Sequence, residues 1–146
     1  MSHICIVVAR FYGDIADELV RGAVATLEAG GATYEIIEVP GAFEVPACVL
    51  MAVASRKYIG YVALGCVIRG ETTHYDYVCK ESASGLSQIA LDYMAPVGYG
   101  ILTVENNDQA WVRAAVAQGN KGGHAAAACL RMLSIKQGMN LMEVGR

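Results

Sequence analysis

Short apolar runs alternate along this chain with longer stretches in which apolar residues recur every three or four positions. Ile4-Cys5-Ile6-Val7-Val8-Ala9 contains no polar residue, as expected of a strand covered on both faces. From Asp14 to Ala29, the positions Ile15, Leu19, Ala23, Val24 and Leu27 share one helical face. Asp14 is a candidate N-cap there, and Gly30-Gly31 is the stop. Tyr34 to Val39 predicts a second strand closed by Pro40-Gly41, and Pro46 suits the first turn of a helix running to about Ser55. Tyr61-Val62-Ala63-Leu64 predicts a third strand. A loop then runs from Gly65 to His74, and Tyr75 to Tyr93 has helical spacing through Val78, Leu86, Ile89 and Tyr93. After the break at Ala95-Pro96, Val97 to Thr103 predicts a fourth strand. Helical stretches follow at Asp108 to Ala117 and Gly122 to Lys136, and the tail after Gly138 is expected to fray.

Repeated strand–helix units predict an α/β fold with right-handed crossovers. The expected architecture is a three-layer α/β/α sandwich around a four-stranded parallel sheet, flavodoxin-like, in one domain spanning residues 1–146. In such sheets ligands bind beyond the carboxyl ends of the strands. That rule gathers Phe11, the turn Pro40 to Glu44, the loop Gly65 to His74 and the segment after Thr103 along one edge.

Composition narrows the classes. Apolar residues make up 55% of the chain and charged ones only 17%, which predicts surface hidden against further copies of itself. A net charge of -3 offers no basic field for nucleic acid. No run approaches the roughly 18 apolar residues that a membrane-spanning helix needs. The 5 cysteines are scattered without a C-x-x-C pair, and Met1-Ser2-His3 leads straight into a strand. Both features predict reduced thiols, no signal peptide and a cytoplasmic protein. The 3 histidines lack metal-ligand spacing, so no metal is expected.

The loop after the third strand carries the chemistry. Gly65 to Gly70 followed by Glu71-Thr72 imitates a nucleotide phosphate loop, but Glu71 replaces its lysine, which argues against triphosphate hydrolysis. Free backbone N–H groups and a helix dipole still predict an anion site. His74 falls in the first helical turn, where the dipole disfavours the protonated ring and a neutral imidazole can take and give protons. The alternative is an ordinary hydrogen-bonded surface histidine. Phe11 is either a plug over the sheet edge or a stacking plate for a flat heteroaromatic ring. Glu44 either caps the next helix or accepts hydrogen bonds from a polyol. Arg113 and Lys121 are either solvated charges or a fork and a point charge for one phosphate.

Taken in order, several segments resemble the 6,7-dimethyl-8-ribityllumazine synthase family of riboflavin biosynthesis. They are Val7-Val8-Ala9-Arg10-Phe11, Val39 to Pro46, Ala63 to Val78, Gly100 to Asn106, Gln109-Ala110 with Arg113, and Gly119-Asn120-Lys121-Gly122. The resemblance implies condensation of 5-amino-6-ribitylaminouracil with 3,4-dihydroxy-2-butanone 4-phosphate, without cofactor or metal. It implies that Phe11 stacks on the pyrimidine and that Ala42, Phe43 and Glu44 line the ribityl chain. The backbone at Cys66, Val67 and Ile68 would face the uracil edge. Glu71 and Thr72 would offer N–H groups to phosphate, Arg113 would clamp it with Lys121 nearby, and His74 would shuttle protons. Tyr99 would enter from the adjacent subunit of a ring of five. Tyr12 departs from the asparagine or small polar residue common at its position. An N-terminal extension found in many relatives is expected to be absent or truncated, which leaves the sixty-subunit shell of some members open. Competing classes are a flavin-carrying binding module, a lumazine-dismutating enzyme and a purely structural shell. Arg113 and Gly70-Glu71-Thr72 favour the condensing enzyme, because it alone of these needs a phosphate clamp.

Overall fold

The computed structural model describes residues 2–142. Residues 143–146 of the tail expected to fray therefore lie outside the described residues. The elements are β1 (His3–Ala9), α1 (Gly13–Ala29), β2 (Thr33–Val39), a 3₁₀ turn (Ala42–Glu44), α2 (Val45–Ser55), β3 (Gly60–Ile68), α3 (His74–Tyr93), β4 (Val97–Val104), α4 (Asn107–Ala114) and α5 (Lys121–Gly138). The sheet is parallel throughout, in the order β2-β1-β3-β4.

Alternation along the strands sorts the core into two layers. Ile4, Ile6 and Val8 of β1 and Val62, Leu64 and Cys66 of β3 pack with buried residues of α1, α4 and α5. Cys5, Val7 and Ala9, with Tyr61, Ala63 and Val67, face α2 and α3. Both faces are covered, which is why these strands read as unbroken apolar runs. The result is the three-layer α/β/α sandwich of the flavodoxin-like type. The order in which strands are added reverses between β1 and β3, and a crevice opens outside their carboxyl ends.

Three local expectations are corrected. The third strand does not stop at Leu64: Gly65, Cys66, Val67 and Ile68 pair with Ile101, Leu102, Thr103 and Val104 of β4, so the loop shrinks to residues 69–73. Asp14 does not cap α1. Tyr12 occupies the N-cap position without a side-chain bond, and Asp14 lies in the first turn, where its charge suits the dipole. Finally, α4 ends at Ala114 rather than Ala117. The N–H of Val116 leaves the helical ladder and donates to Glu18 Oε1 of α1 at 2.9 Å. Arg21, and then this N–H, hold the Glu18 carboxyl below its ordinary range.

The α5 layer sits unusually close to β4. A Cβ at Gly98 would lie 1.9 Å from the carbonyl oxygen of Ala125, so only a glycine admits the helix at this distance. Gly98→Ala is therefore expected to push α5 off the sheet and destabilise the fold by roughly 1–3 kcal/mol. The measurement is the urea midpoint at unchanged slope. An unshifted midpoint would mean that α5 rides over the methyl without loss.

Candidate functional site

The crevice at the switch point is an open cleft of about 660 Å³. Each of β1, β2 and β3 delivers one wall from its carboxyl end. After β1 come Phe11 and Tyr12. The Phe11 ring is 73% exposed and meets Tyr12 edge-on, with centroids 4.9 Å apart and planes at 78°. Arg10 steadies this turn by pairing with Asp17 of α1 at 2.6 Å and with Glu38 of β2 at 3.2 Å. A large aromatic ring left this exposed beside a cleft offers a face to a flat ligand, and its neighbour fixes its tilt.

After β2, the segment Pro40 to Glu44 forms the second wall. Ala42 is buried and Phe43 is exposed. Glu44 stands at the N-cap position of α2, yet its side chain makes no capping hydrogen bond. The structure thus decides against the capping role, and the carboxylate remains available to hydroxyl donors in the cleft.

After β3 come Cys66, Val67 and Ile68, then Gly70 and Thr72 of the loop, then His74, Tyr75 and Val78 of α3. Burial, and then the neighbouring Cys79, push the Cys66 thiol up to about 11. It stays protonated near neutrality and is no nucleophile. His74 is the first residue of α3, and its N–H takes the hydroxyl of Thr72 as acceptor at 3.3 Å. Thr73, at the N-cap position, makes no side-chain cap. An uncapped helix start facing a cleft keeps backbone donors and the positive dipole end for an anion. A Cβ at Gly70 would meet nothing within 4 Å, so this chain's own packing does not demand a glycine there.

The cleft therefore brings together Phe11, Ala42, Phe43, Glu44, Cys66, Val67, Ile68, Thr72 and His74. It does not include Glu71, Tyr99, Arg113 or Lys121 among its lining. Glu71 is exposed in the loop beside it. Tyr99 lies on β4 and lines a separate groove of about 200 Å³ with residues of α3. Arg113, in the last turn of α4, donates from Nη1 to the Gln109 carbonyl at 3.1 Å. Lys121 opens α5 just after Asn120, whose left-handed backbone and side-chain oxygen cap that helix.

Sequence reasoning named Tyr12 only as a departure from the family pattern, and passed over Tyr75 and Val78 as cleft lining and Arg69 as a framework residue. Arg69 Nε donates to Glu105 at 2.9 and 3.1 Å, and its guanidinium lies 4.2 Å from the centroid of the Tyr75 ring. An arginine next to a glycine loop was the one available signal. Its partner, 36 residues away, could not be read from spacing. Among the described residues no group of His, Cys, Asp and Glu could hold a metal ion, and no helix is long and apolar enough to cross a membrane.

A parallel, doubly covered sheet with an exposed aromatic ring, a carboxylate that does not cap its helix and a helix-borne histidine around its switch-point crevice defines an α/β protein of the flavodoxin-like type with an open cleft at that crevice. Comparison with known proteins makes this particular. The chain belongs to the 6,7-dimethyl-8-ribityllumazine synthase family, whose model matches residues 1–137. It is 52% identical over 140 residues to 6,7-dimethyl-8-ribityllumazine synthase 1 of Rhizobium meliloti, covering 92% of each chain. It is 50% identical over 140 residues to the 6,7-dimethyl-8-ribityllumazine synthase of Agrobacterium fabrum, covering 92% of this chain and 95% of that one. The synthase of Bartonella henselae is 50% identical over 137 residues, with 92% of this chain and 88% of that one covered.

Proposed function

We propose that this protein condenses 5-amino-6-(D-ribitylamino)uracil with 3,4-dihydroxy-2-butanone 4-phosphate to give 6,7-dimethyl-8-ribityllumazine, phosphate and water, the penultimate step of riboflavin biosynthesis. The observation that carries this reading is the convergence of Phe11, Glu44 and His74 on one cleft at the head of an uncapped helix. Phe11 stacks on the pyrimidine, Phe43 and Ala42 flank the ribityl chain, and Glu44 accepts its hydroxyl hydrogens. The uracil edge meets the backbone at Cys66, Val67 and Ile68. The phosphate sits against the N–H groups near Glu71 and Thr72.

The chemistry asks chiefly for proton movement. The primary amine attacks the ketone carbonyl and water leaves to form an imine. A carbon-bound proton is then removed as phosphate departs, and the resulting enol takes a proton at its terminal carbon to become a methyl ketone. The ribityl-bearing nitrogen adds to that ketone and closes the second ring with loss of water. His74, beside the leaving phosphate, takes and returns these protons.

Arg113, Lys121 and Tyr99 act in this reading on the cleft of a neighbouring copy, in a ring of five. Support comes from the lean charge of the chain and from apolar side chains exposed on the same elements, among them Trp111 and Val112 of α4 and Met132 of α5. A cytoplasmic location goes with this reading and draws its support from the scattered cysteines.

The test is an assay with both substrates and the purified protein, following the absorbance and green fluorescence of the lumazine. Formation well above the spontaneous background is expected. No acceleration, with the pyrimidine still bound, would instead favour a flavin-carrying module.

A further inference from the structure

One continuous set of contacts joins the cleft to Arg113. Arg69 Nη1 lies 3.4 Å from Asp76 Oδ1, while its Nε is shared between both oxygens of Glu105. Its backbone N–H donates to the Val104 carbonyl at 3.0 Å, extending the β3–β4 ladder to the loop. The Glu105 N–H in turn donates to Gln109 Oε1 at 2.8 Å, and the Gln109 N–H to Asn106 Oδ1 at 2.9 Å. The Gln109 carbonyl then receives Arg113 Nη1 at 3.1 Å.

We propose that Arg69 and Glu105 are positioning residues that set the phosphate loop of one site and the Arg113 guanidinium offered to the next. This rests on the proposed condensation, and on Arg113 serving a phosphate. Arg69 stands before the loop, Tyr75 and Asp76 just after it, so the guanidinium closes the segment Gly70-Glu71-Thr72-Thr73 at both ends. That segment needs such closure, because Gly70 adds conformational freedom and even a Cβ placed there would meet nothing within 4 Å. With carboxylates on two sides, Arg69 is engaged as a strut and is not a second phosphate cation. Glu105 works in both directions: its carboxylate holds Arg69, and its backbone N–H orients the first turns of α4.

The ion pairs are exposed, Arg69 by 42% and Glu105 by 56%, so water and salt screen them and they add little to global stability. Their effect is local geometry, which separates the proposal from a merely structural role. Arg69→Ala is expected to raise the KM for the butanone phosphate roughly tenfold to a hundredfold, as small displacements of a positioning group do. The KM for the pyrimidine, held by other walls of the cleft, stays near wild type, and so does Tm. Arg69→Lys restores little, because an ammonium lacks the fork and the flat face presented to Tyr75. Glu105→Gln reproduces the selective loss, and the double variant adds little to either single one, as expected of one coupled unit.

Inorganic phosphate, titrated by calorimetry in the absence of substrates, is expected to bind Arg69→Ala more weakly than wild type. Should the wild-type protein make no lumazine, the reading of its function fails, and this titration still decides the strut. Unchanged KM and phosphate affinity in Arg69→Ala, or a parallel rise of both KM values with a lowered Tm, would overturn the proposal.

Discussion

Replacing His74 by alanine is expected to lower kcat by roughly a hundredfold to ten-thousandfold, the range lost when a positioned general acid–base is removed. Binding should suffer far less. Phe11, the turn after β2 and the strand end at Cys66 to Ile68 form three walls of the cleft that do not depend on the imidazole. The backbone of residue 74 should stay helical with alanine there, and its N–H should keep the Thr72 hydroxyl as acceptor. Steady-state kinetics with each substrate varied in turn measures the split. A large fall in kcat with both KM values nearly constant assigns proton transfer to His74. Unchanged turnover removes it from the chemistry and leaves the protons to water or to the leaving phosphate.

The second large effect concerns Arg113, which lies outside the cleft of its own chain. Arg113→Ala alone should raise the KM for the phosphorylated substrate by loss of a charge-assisted fork. The sharper experiment combines the two impaired chains and reads activity at a phosphorylated-substrate concentration far below the raised KM of Arg113→Ala. In the proposed ring, with head-to-tail contacts, each site would take His74 from one copy and Arg113 from the next. Co-expressed His74→Ala and Arg113→Ala chains then regenerate intact sites wherever an Arg113→Ala copy is followed by a His74→Ala copy. With random mixing this is half of one kind meeting half of the other, so activity should return to about a quarter of wild type. If both residues served a cleft within one chain, the mixture would show only the average of its two weak parents. The two outcomes differ by far more than assay error.

Much of the architecture follows from local pattern. Unbroken runs at Ile4 to Ala9 and Tyr61 to Leu64 require cover on both sides. The three-and-four spacing from Ile15 to Leu27 supplies a helix with one apolar face, and those two facts already require layers around a parallel sheet. Phe11, Glu44 and His74 were legible as candidates because each follows or approaches a strand end, and the switch-point rule gathers strand ends.

What pattern could not settle depends on partners distant in the chain. Gly65 to Ile68 look like loop, yet they extend β3 because β4 offers them a ladder. Helix α4 stops at Ala114 because Glu18, 98 residues away, captures the next free N–H. Glu44 sits where a capping residue belongs and does not cap, so its availability to a ligand is a matter of side-chain placement rather than position. The strut from Arg69 to Glu105 exists only once β3 and β4 lie side by side. Hydrophobic periodicity is a property of neighbouring residues, and it reports which faces must be buried. Hydrogen bonds and ion pairs are contracts between atoms a few ångströms apart, and only the folded chain decides which atoms those are.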